Sequence, residues 1–133
     1  MNGLYAKAES FRPMALSILR IIAGLLFFEH GLSKLFGWPQ ATNMPAFMTL
    51  IWFAGCIETI GGALVTVGLF TRIAAFVMSG EMAFAYFMVH QQKAPFPILN
   101  AGDAAILFCF VFLYIACAGG GPWSLDAMIG KKQ

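Results

Sequence analysis

Four long apolar runs alternate with short breaks rich in glycine and proline, at residues 14–36, 46–70, 72–90 and 98–118. Each has about the 17–25 residues that a helix needs to span a bilayer's hydrocarbon core. Lipid offers backbone N–H and C=O groups no partner, so each run must pair its own backbone and is predicted to be α-helical. Gly37, Pro39 and Pro45 bracket the first break, and Asn43 is a candidate N-cap for the second helix. Gly68 to Arg72 makes a tight second turn, and Pro95 and Pro97 stop the chain before the fourth run. Gly119-Gly120-Gly121-Pro122 ends that run. Short connections make consecutive helices antiparallel. The expected fold is all-α: a transmembrane up-down-up-down four-helix bundle in a single domain over 1–133, with an interfacial tail at 119–133.

The flanks refine this picture. Tyr5, Trp38, Trp52 and Trp123 sit near run ends, where an aromatic belt forms. Lys7 and Arg12 precede the first run in the order of a signal peptide. That run continues to Phe36, beyond the roughly 7–15 residues of a signal-peptide core, so it is read as a spanning helix. Lys7, Arg12, Arg72, Lys131 and Lys132 fall on one side, and Lys34 and Lys93 on the other. The positive-inside rule then predicts a multi-pass protein of the cell membrane with both termini in the cytoplasm.

Composition agrees. The chain is 60% hydrophobic and 11% charged, against about a quarter charged in a soluble domain. A net charge of +2, with no basic cluster beyond Lys131–Lys132, excludes a nucleic-acid partner. Cys56, Cys109 and Cys117 lack CxxC spacing and lie in apolar runs, so they read as small buried side chains.

The unusual feature is charge inside the runs. Each carries one acid: Glu29, Glu58, Glu81 and Asp103. The first also holds Arg20 and His30. A charge at the bilayer centre costs at least about 2.5–3.5 kcal/mol, so these groups must pair, protonate or line a wet cavity. At about 1.5 Å per residue, Glu58 and Glu81 fall near mid-membrane. Glu29, His30 and Asp103 fall in the outer half, with Asn100 and His90 nearer the outer surface. Arg20 lies in the inner part, and Lys34 is placed to cap the acids from outside.

Helical phase sharpens the expectation. Ala54, Gly55, Glu58, Gly61, Gly62 and Val65 share a small-residue face suited to close helix approach. Met78, Glu81, Ala85 and Met88 share another, with Arg72 and His90 pointing the other way. Asp103, Leu107, Phe110, Tyr114 and Cys117 share a third, with Asn100 one turn away. In the first run Arg20, Gly24, Phe27, Gly31 and Lys34 form one face, with His30 at its edge. Glu29 lies opposite, among Ile18, Ile22, Leu25 and Leu32. Both charges cannot enter one bundle, so either Arg20 snorkels to the inner headgroups or Glu29 meets a partner protomer in a homo-oligomer. Arg20/Glu29 and Arg72/Glu81 share a nine-residue spacing, but the halves do not otherwise align and the match is read as coincidence.

Neither histidine follows a glutamate by three residues, so no di-iron site or other metal site is expected. A bis-His haem on His30 and His90 is disfavoured, because a lone histidine at a helix end is more often an interfacial polar residue. Phosphate loops, nucleophile elbows and dinucleotide fingerprints are absent.

Several short stretches, taken in order, resemble the DoxX family of small four-helix membrane proteins. They are Arg20 with Gly24, His30-Gly31-Leu32-Ser33-Lys34-Leu35 and Glu58-Thr59-Ile60-Gly61-Gly62-Ala63-Leu64. Gly68-Leu69-Phe70-Thr71-Arg72-Ile73-Ala74-Ala75 and Glu81-Met82-Ala83-Phe84-Ala85-Tyr86 follow. Asn100 and Gly119-Gly120-Gly121-Pro122-Trp123-Ser124-Leu125-Asp126 complete the pattern. The family takes its name from a subunit associated with a thiosulfate:quinone oxidoreductase. Relatives are linked to quinone and catechol stress and to thiol redox complexes. The resemblance implies the fold, and it makes Arg20, Lys34, Glu58, Arg72, Glu81, Asn100 and Asp126 shared pattern positions.

The leading expectation is a quinone-linked redox component or accessory subunit of a membrane oxidoreductase. A lipophilic ring would enter from the bilayer and lie against Phe, Met and Tyr side chains. Glu58, Glu81 and Asp103 are the candidates for proton exchange. Arg20, Glu29, His30, Lys34, Asn100 and Tyr114 are the candidates for binding. No electron carrier is evident in the sequence, so electrons would come from a partner redox subunit or a soluble reductant. The alternatives are a non-catalytic binding or assembly module, in which neutral glutamates act as interhelical glue, and a small proton-coupled carrier. The carrier ranks lower because inverted repeats and broken helices are not apparent.

Overall fold

The computed structural model describes residues 2–40 and 44–130, and among these every regular element is helical. The elements are α1 (Asn2–Phe36), α2 (Leu50–Val67), α3 (Thr71–Ala85, continuing through a π-helical turn Tyr86–His90), a short α4 (Pro97–Asn100), α5 (Asp103–Ala118) and a short α6 (Leu125–Met128). Three helices are long and apolar enough to cross a membrane: Asn2–Phe36, Leu50–Val67 and Thr71–His90. The fourth run is a shorter apolar helix, Asp103–Ala118.

Boundaries depart from the sequence pattern for identifiable reasons. Residues 4–12 carry Ala, Leu and Glu without glycine or proline, so α1 begins at Asn2 rather than near residue 14. Its 35 residues make a rod about 50 Å long at about 1.5 Å per residue, well beyond a hydrocarbon core of about 30 Å. The second helix starts at Leu50, not near 46. Its N-cap is Thr49, whose hydroxyl accepts from Trp52 N–H at 3.3 Å and donates to Ala46 O at 2.7 Å. Asn43 and the Lys131–Lys132 pair lie outside the described residues.

The run expected as one helix over 98–118 is divided. Ala101 adopts a left-handed conformation (φ 57°), and the Asn100 side chain accepts from Gly102 N–H at 2.8 Å. That side-chain acceptor replaces the backbone bond a continuous helix would make there. The fourth segment is therefore a broken helix, with its break at one end.

Packing is pairwise: α1 lies along α2, α3 along α5, and α2–α3 joins the two hairpins. The small-residue face of α2 is buried as its phase predicts, at Gly55, Glu58, Gly61, Gly62 and Val65. Against α1 the approach is very close. A Cβ on Gly62 would stand 2.5 Å from Phe28 N, and one on Gly31 would stand 2.5 Å from Thr59 N. Only glycine admits that separation, which brings many dispersion contacts where lipid tails supply no hydrophobic drive. Between the hairpins Phe27 meets Phe108 and Phe112 edge-on, with centroids 5.0 and 4.7 Å apart.

Outside faces are apolar, as a bilayer solvent requires. Ile18, Ile22 and Leu25 of α1, Ile73 and Phe76 of α3, and Leu107 and Phe110 of α5 are all exposed. This overturns the expected direction of the fourth run. Asp103, Leu107, Phe110, Tyr114 and Cys117 do share a face, but it points outward, and Ala105, Phe112 and Ile115 are the buried positions. In a chain apolar all round, periodicity gives the grouping and not the sign.

An apolar cavity with a buried ion pair

The Arg20-to-Lys34 face of α1 turns inward, burying Arg20, Gly24, Phe27 and Gly31. Lys34 then reaches back toward α2, and its Nζ lies 2.6 Å from Glu58 Oε1. Glu58 is 2% exposed. A buried carboxylate with a cation at hydrogen-bond distance is the geometry that offsets its desolvation. The remaining oxygen, Glu58 Oε2, has no hydrogen-bond partner among the described residues. Neither does Glu81 Oε1 or Oε2, although both atoms are buried.

These groups open onto one cavity of about 730 Å³, lined from α1, α2, α3 and α5. Lys34, Glu58, Glu81, His30 and His90 supply its polar wall. Phe27, Ile57, Met82, Ala85 and Phe108 are among the apolar residues around them. The size falls within the roughly 300–1,000 Å³ of small-molecule sites, and few polar groups on an apolar wall is their usual composition. Phe53, Val77 and Phe84 also line it and are half exposed, giving an apolar rim.

His90 joins this wall against its α-helical phase. Gln91 N–H bonds Tyr86 O at 2.9 Å, an i→i+5 step. The wider turn lags an α-helix and carries His90 round toward the Glu81 side. Its Nδ1 lies 3.0 Å from Asn100 O, and its ring stacks on Tyr86. The π-turn itself had no signal in the sequence, since no residue type marks one.

Other candidates fall elsewhere. Arg20 is fully buried at the opposite end of the bundle. Its Nε donates to Gly120 O at 2.7 Å, NH1 to Val65 O at 2.6 Å and Thr66 O at 2.5 Å, and NH2 to Trp123 O at 2.5 Å. It closes the C-terminus of α2 and ties it to residues 119–123, so it does not snorkel to headgroups. Asp126 completes that knot by accepting from Phe70 N–H and Thr71 N–H, both at 2.9 Å, which caps α3. Asn100 is buried and serves the α4–α5 break, with Nδ2 donating to Ala94 O at 3.0 Å. Glu29 and Tyr114 are exposed on outward faces, as is Asp103 at the start of α5. None of Arg20, Glu29, Asn100, Asp103 or Tyr114 lines the cavity.

The shared arginine spacing proves partly meaningful. Arg72 on α3 donates to Ala116 O at 3.0 Å and to Cys117 O, closing the end of α5 as Arg20 closes α2. Each hairpin thus has an arginine of its first helix on the last turn of its second. The glutamates do not correspond, since Glu29 faces out and Glu81 faces in.

Among known proteins, the DoxX family profile matches residues 15–91. A Haemophilus influenzae protein without an assigned function is 39% identical over 138 aligned positions, covering 99% of this chain and 100% of its own. A Bacillus subtilis protein named provisionally as the oxidoreductase CatD is 34% identical, with 87% and 89% coverage. An Escherichia coli protein named as the inner membrane protein YqjF is 24% identical, with 93% and 98% coverage. No solved structure matches the chain. Matches of this identity and extent, over a fold of apolar helices, establish that the chain is a membrane protein and belongs to the DoxX family.

Proposed function

We propose that this protein is a quinone-linked component of a membrane oxidoreductase, holding a lipophilic ring in the cavity against Lys34, Glu58 and Glu81. The carrying observation is the Lys34–Glu58 pair at 2.6 Å beside three unpartnered carboxylate oxygens on an otherwise apolar wall. An apolar rim suits entry from lipid. Reduction of a quinone consumes two electrons and two protons. Glu58 and Glu81 exchange the protons with the ring oxygens, and a partner redox subunit carries the electrons. The oxidoreductase name of the Bacillus subtilis relative supports the class. Asp103, Arg20, Asn100 and Tyr114 have no part in this reading, because they lie outside the cavity.

In this reading α1, α2, α3 and α5 cross the cell membrane as an up-down-up-down bundle with both termini in the cytoplasm. The name of the Escherichia coli relative supports that location. Protein purified with its native lipids is expected to yield extractable quinone. Glu58→Gln, checked for folding by gel filtration, is expected to retain at least about tenfold less, the value of one hydrogen bond to a charged group. Unchanged quinone with reduced recovery of a co-purifying redox enzyme supports instead a non-catalytic assembly module. The use of Arg20, Arg72 and Asp126 on backbone groups favours that second reading.

Glu29 motivates a further part of the proposal. It is an exposed acid on an outward face beside the exposed Leu25 and Leu26, and charge facing lipid is costly. We assign this face of α1 to a homo-oligomer contact. Glu29→Cys is expected to crosslink between copies in membranes, and monomer alone across the α1 face removes the assignment.

A further inference from the structure

From the hydrogen-bonding character of the wall, we infer that the cavity, with Glu58 and Glu81 ionised, selects the reduced, dihydroxy form of an aromatic ring over its oxidised quinone. This rests on the ring-binding reading above and specifies its substrate.

With Glu58 and Glu81 both ionised the wall is nearly all acceptor, whereas a protonated Glu81 adds a donor. Glu58 is nine-tenths and more buried, lines the cavity, and leaves Oε2 without a partner among the described residues. Both oxygens of Glu81 are in the same condition. Each histidine has its Nδ1 committed to a backbone carbonyl. His30 Nδ1 lies 2.7 Å from Leu26 O, and His90 Nδ1 lies 3.0 Å from Asn100 O. A carbonyl only accepts, so each Nδ1 carries the hydrogen. Lys34 is the opposing group. One of its three N–H donors is used on Glu58 Oε1, and two remain.

A ligand complementary to this wall brings hydrogen-bond donors and offers a little acceptor capacity to Lys34. Each hydroxyl of a hydroquinone or catechol does both. A quinone's carbonyls only accept, so they serve Lys34 and leave the carboxylate oxygens facing a group that repels them. Leaving buried acceptors unmatched is the stronger discriminator, because a site built to hydrogen-bond a hydroxyl rejects the analogue lacking it. The flat aromatic and thioether surfaces of Phe27, Phe108 and Met82 accommodate the same ring in either form. Selection therefore falls on the oxygens alone.

The test uses the full chain in lipid nanodiscs at alkaline pH, where both glutamates are ionised, with empty nanodiscs subtracted for partitioning. Equilibrium dialysis measures three probes sharing one short-tailed ring: the 1,4-benzoquinone, its hydroquinone under anaerobic conditions, and the hydroquinone dimethyl ether. The hydroquinone is expected to bind at least about tenfold more tightly than either of the others, since each lacks a donor to a charged acceptor. For a two-electron couple, each tenfold raises the bound midpoint by about 30 mV. Glu81→Gln, whose carboxamide supplies donors, is expected to bring the quinone and hydroquinone affinities close together. The wild-type comparison stands without any variant folding. Quinone or dimethyl ether binding as tightly as the hydroquinone overturns the inference while leaving the ring site intact. Failure of all three probes to bind removes the inference together with the ring site.

Discussion

Arg20→Leu is expected to cost the fold about 3–5 kcal/mol, and Arg20→Lys is expected to recover little of it. The guanidinium donates to four carbonyls, from Val65, Thr66, Gly120 and Trp123, while fully buried. Hydrogen bonds to a charged group are worth about 1.5–3 kcal/mol each. Leucine leaves the acceptors unpaired and removes the cation whose charge Asp126 favours across the knot. Lysine restores the charge but not the planar fork that reaches several acceptors at once. A loss of about 3–5 kcal/mol, the range for breaking a buried ionic network, is a large share of a typical stability of about 5–15 kcal/mol. Thermal unfolding in detergent, followed by circular dichroism, measures it. Arg72→Leu is the internal control. Arg72 is partly exposed and, among the described residues, donates only to Ala116 O and Cys117 O, so its loss is expected to be clearly smaller. An Arg20→Leu protein that melts like the wild type but loses its ligand places Arg20 in the binding chemistry and not in the fold.

That contrast shows what the sequence could and could not disclose. The four apolar runs, their breaks and the small-residue face of α2 were legible because each rests on local chain chemistry. Lys34 capping the acids was legible too, since depth along a helix follows from counting residues. Direction was not. Asp103 and Tyr114 share a face by phase, but apolar residues surround α5 on every side, so only tertiary packing decides that this face meets lipid. Arg20 looked like a site residue because a charge in an apolar run is rare. Its four acceptors come from residues 45 to 103 positions away, and no local pattern announces them. His90 was misphased for a third reason: a single i→i+5 bond shifts every residue beyond it, and α-periodicity assumes none. The sequence could show which residues are costly to place in a membrane. Where each goes to recover that cost is a property of the assembled bundle.

Lys34 and Glu58 give the second large expected effect, because the cavity's polar wall depends on their pairing. Lys34→Met leaves Glu58 2% exposed with no cation against Oε1. Breaking a buried pair from one side costs about 3–5 kcal/mol, and the low end of that range, about 3, is expected here because Lys34 retains some exposure. Glu58→Leu is expected to cost less, since the Lys34 stem can carry its ammonium toward water. The double substitution, Lys34→Met with Glu58→Leu, is expected to recover most of the loss, because paired charges replaced by apolar groups of similar volume are often close to neutral. A double-mutant cycle on melting in detergent therefore separates two meanings of the pair. Strong coupling with a stable double variant means that the bundle tolerates an apolar wall, and that the ion pair persists for what the cavity binds. Additive losses mean that the two side chains act through separate contacts rather than through their pairing, and the ligand-binding argument then rests on Glu81 alone. Quinone extraction from the same double variant connects the cycle to function. A protein as stable as the wild type that has lost its quinone cannot have lost it by unfolding.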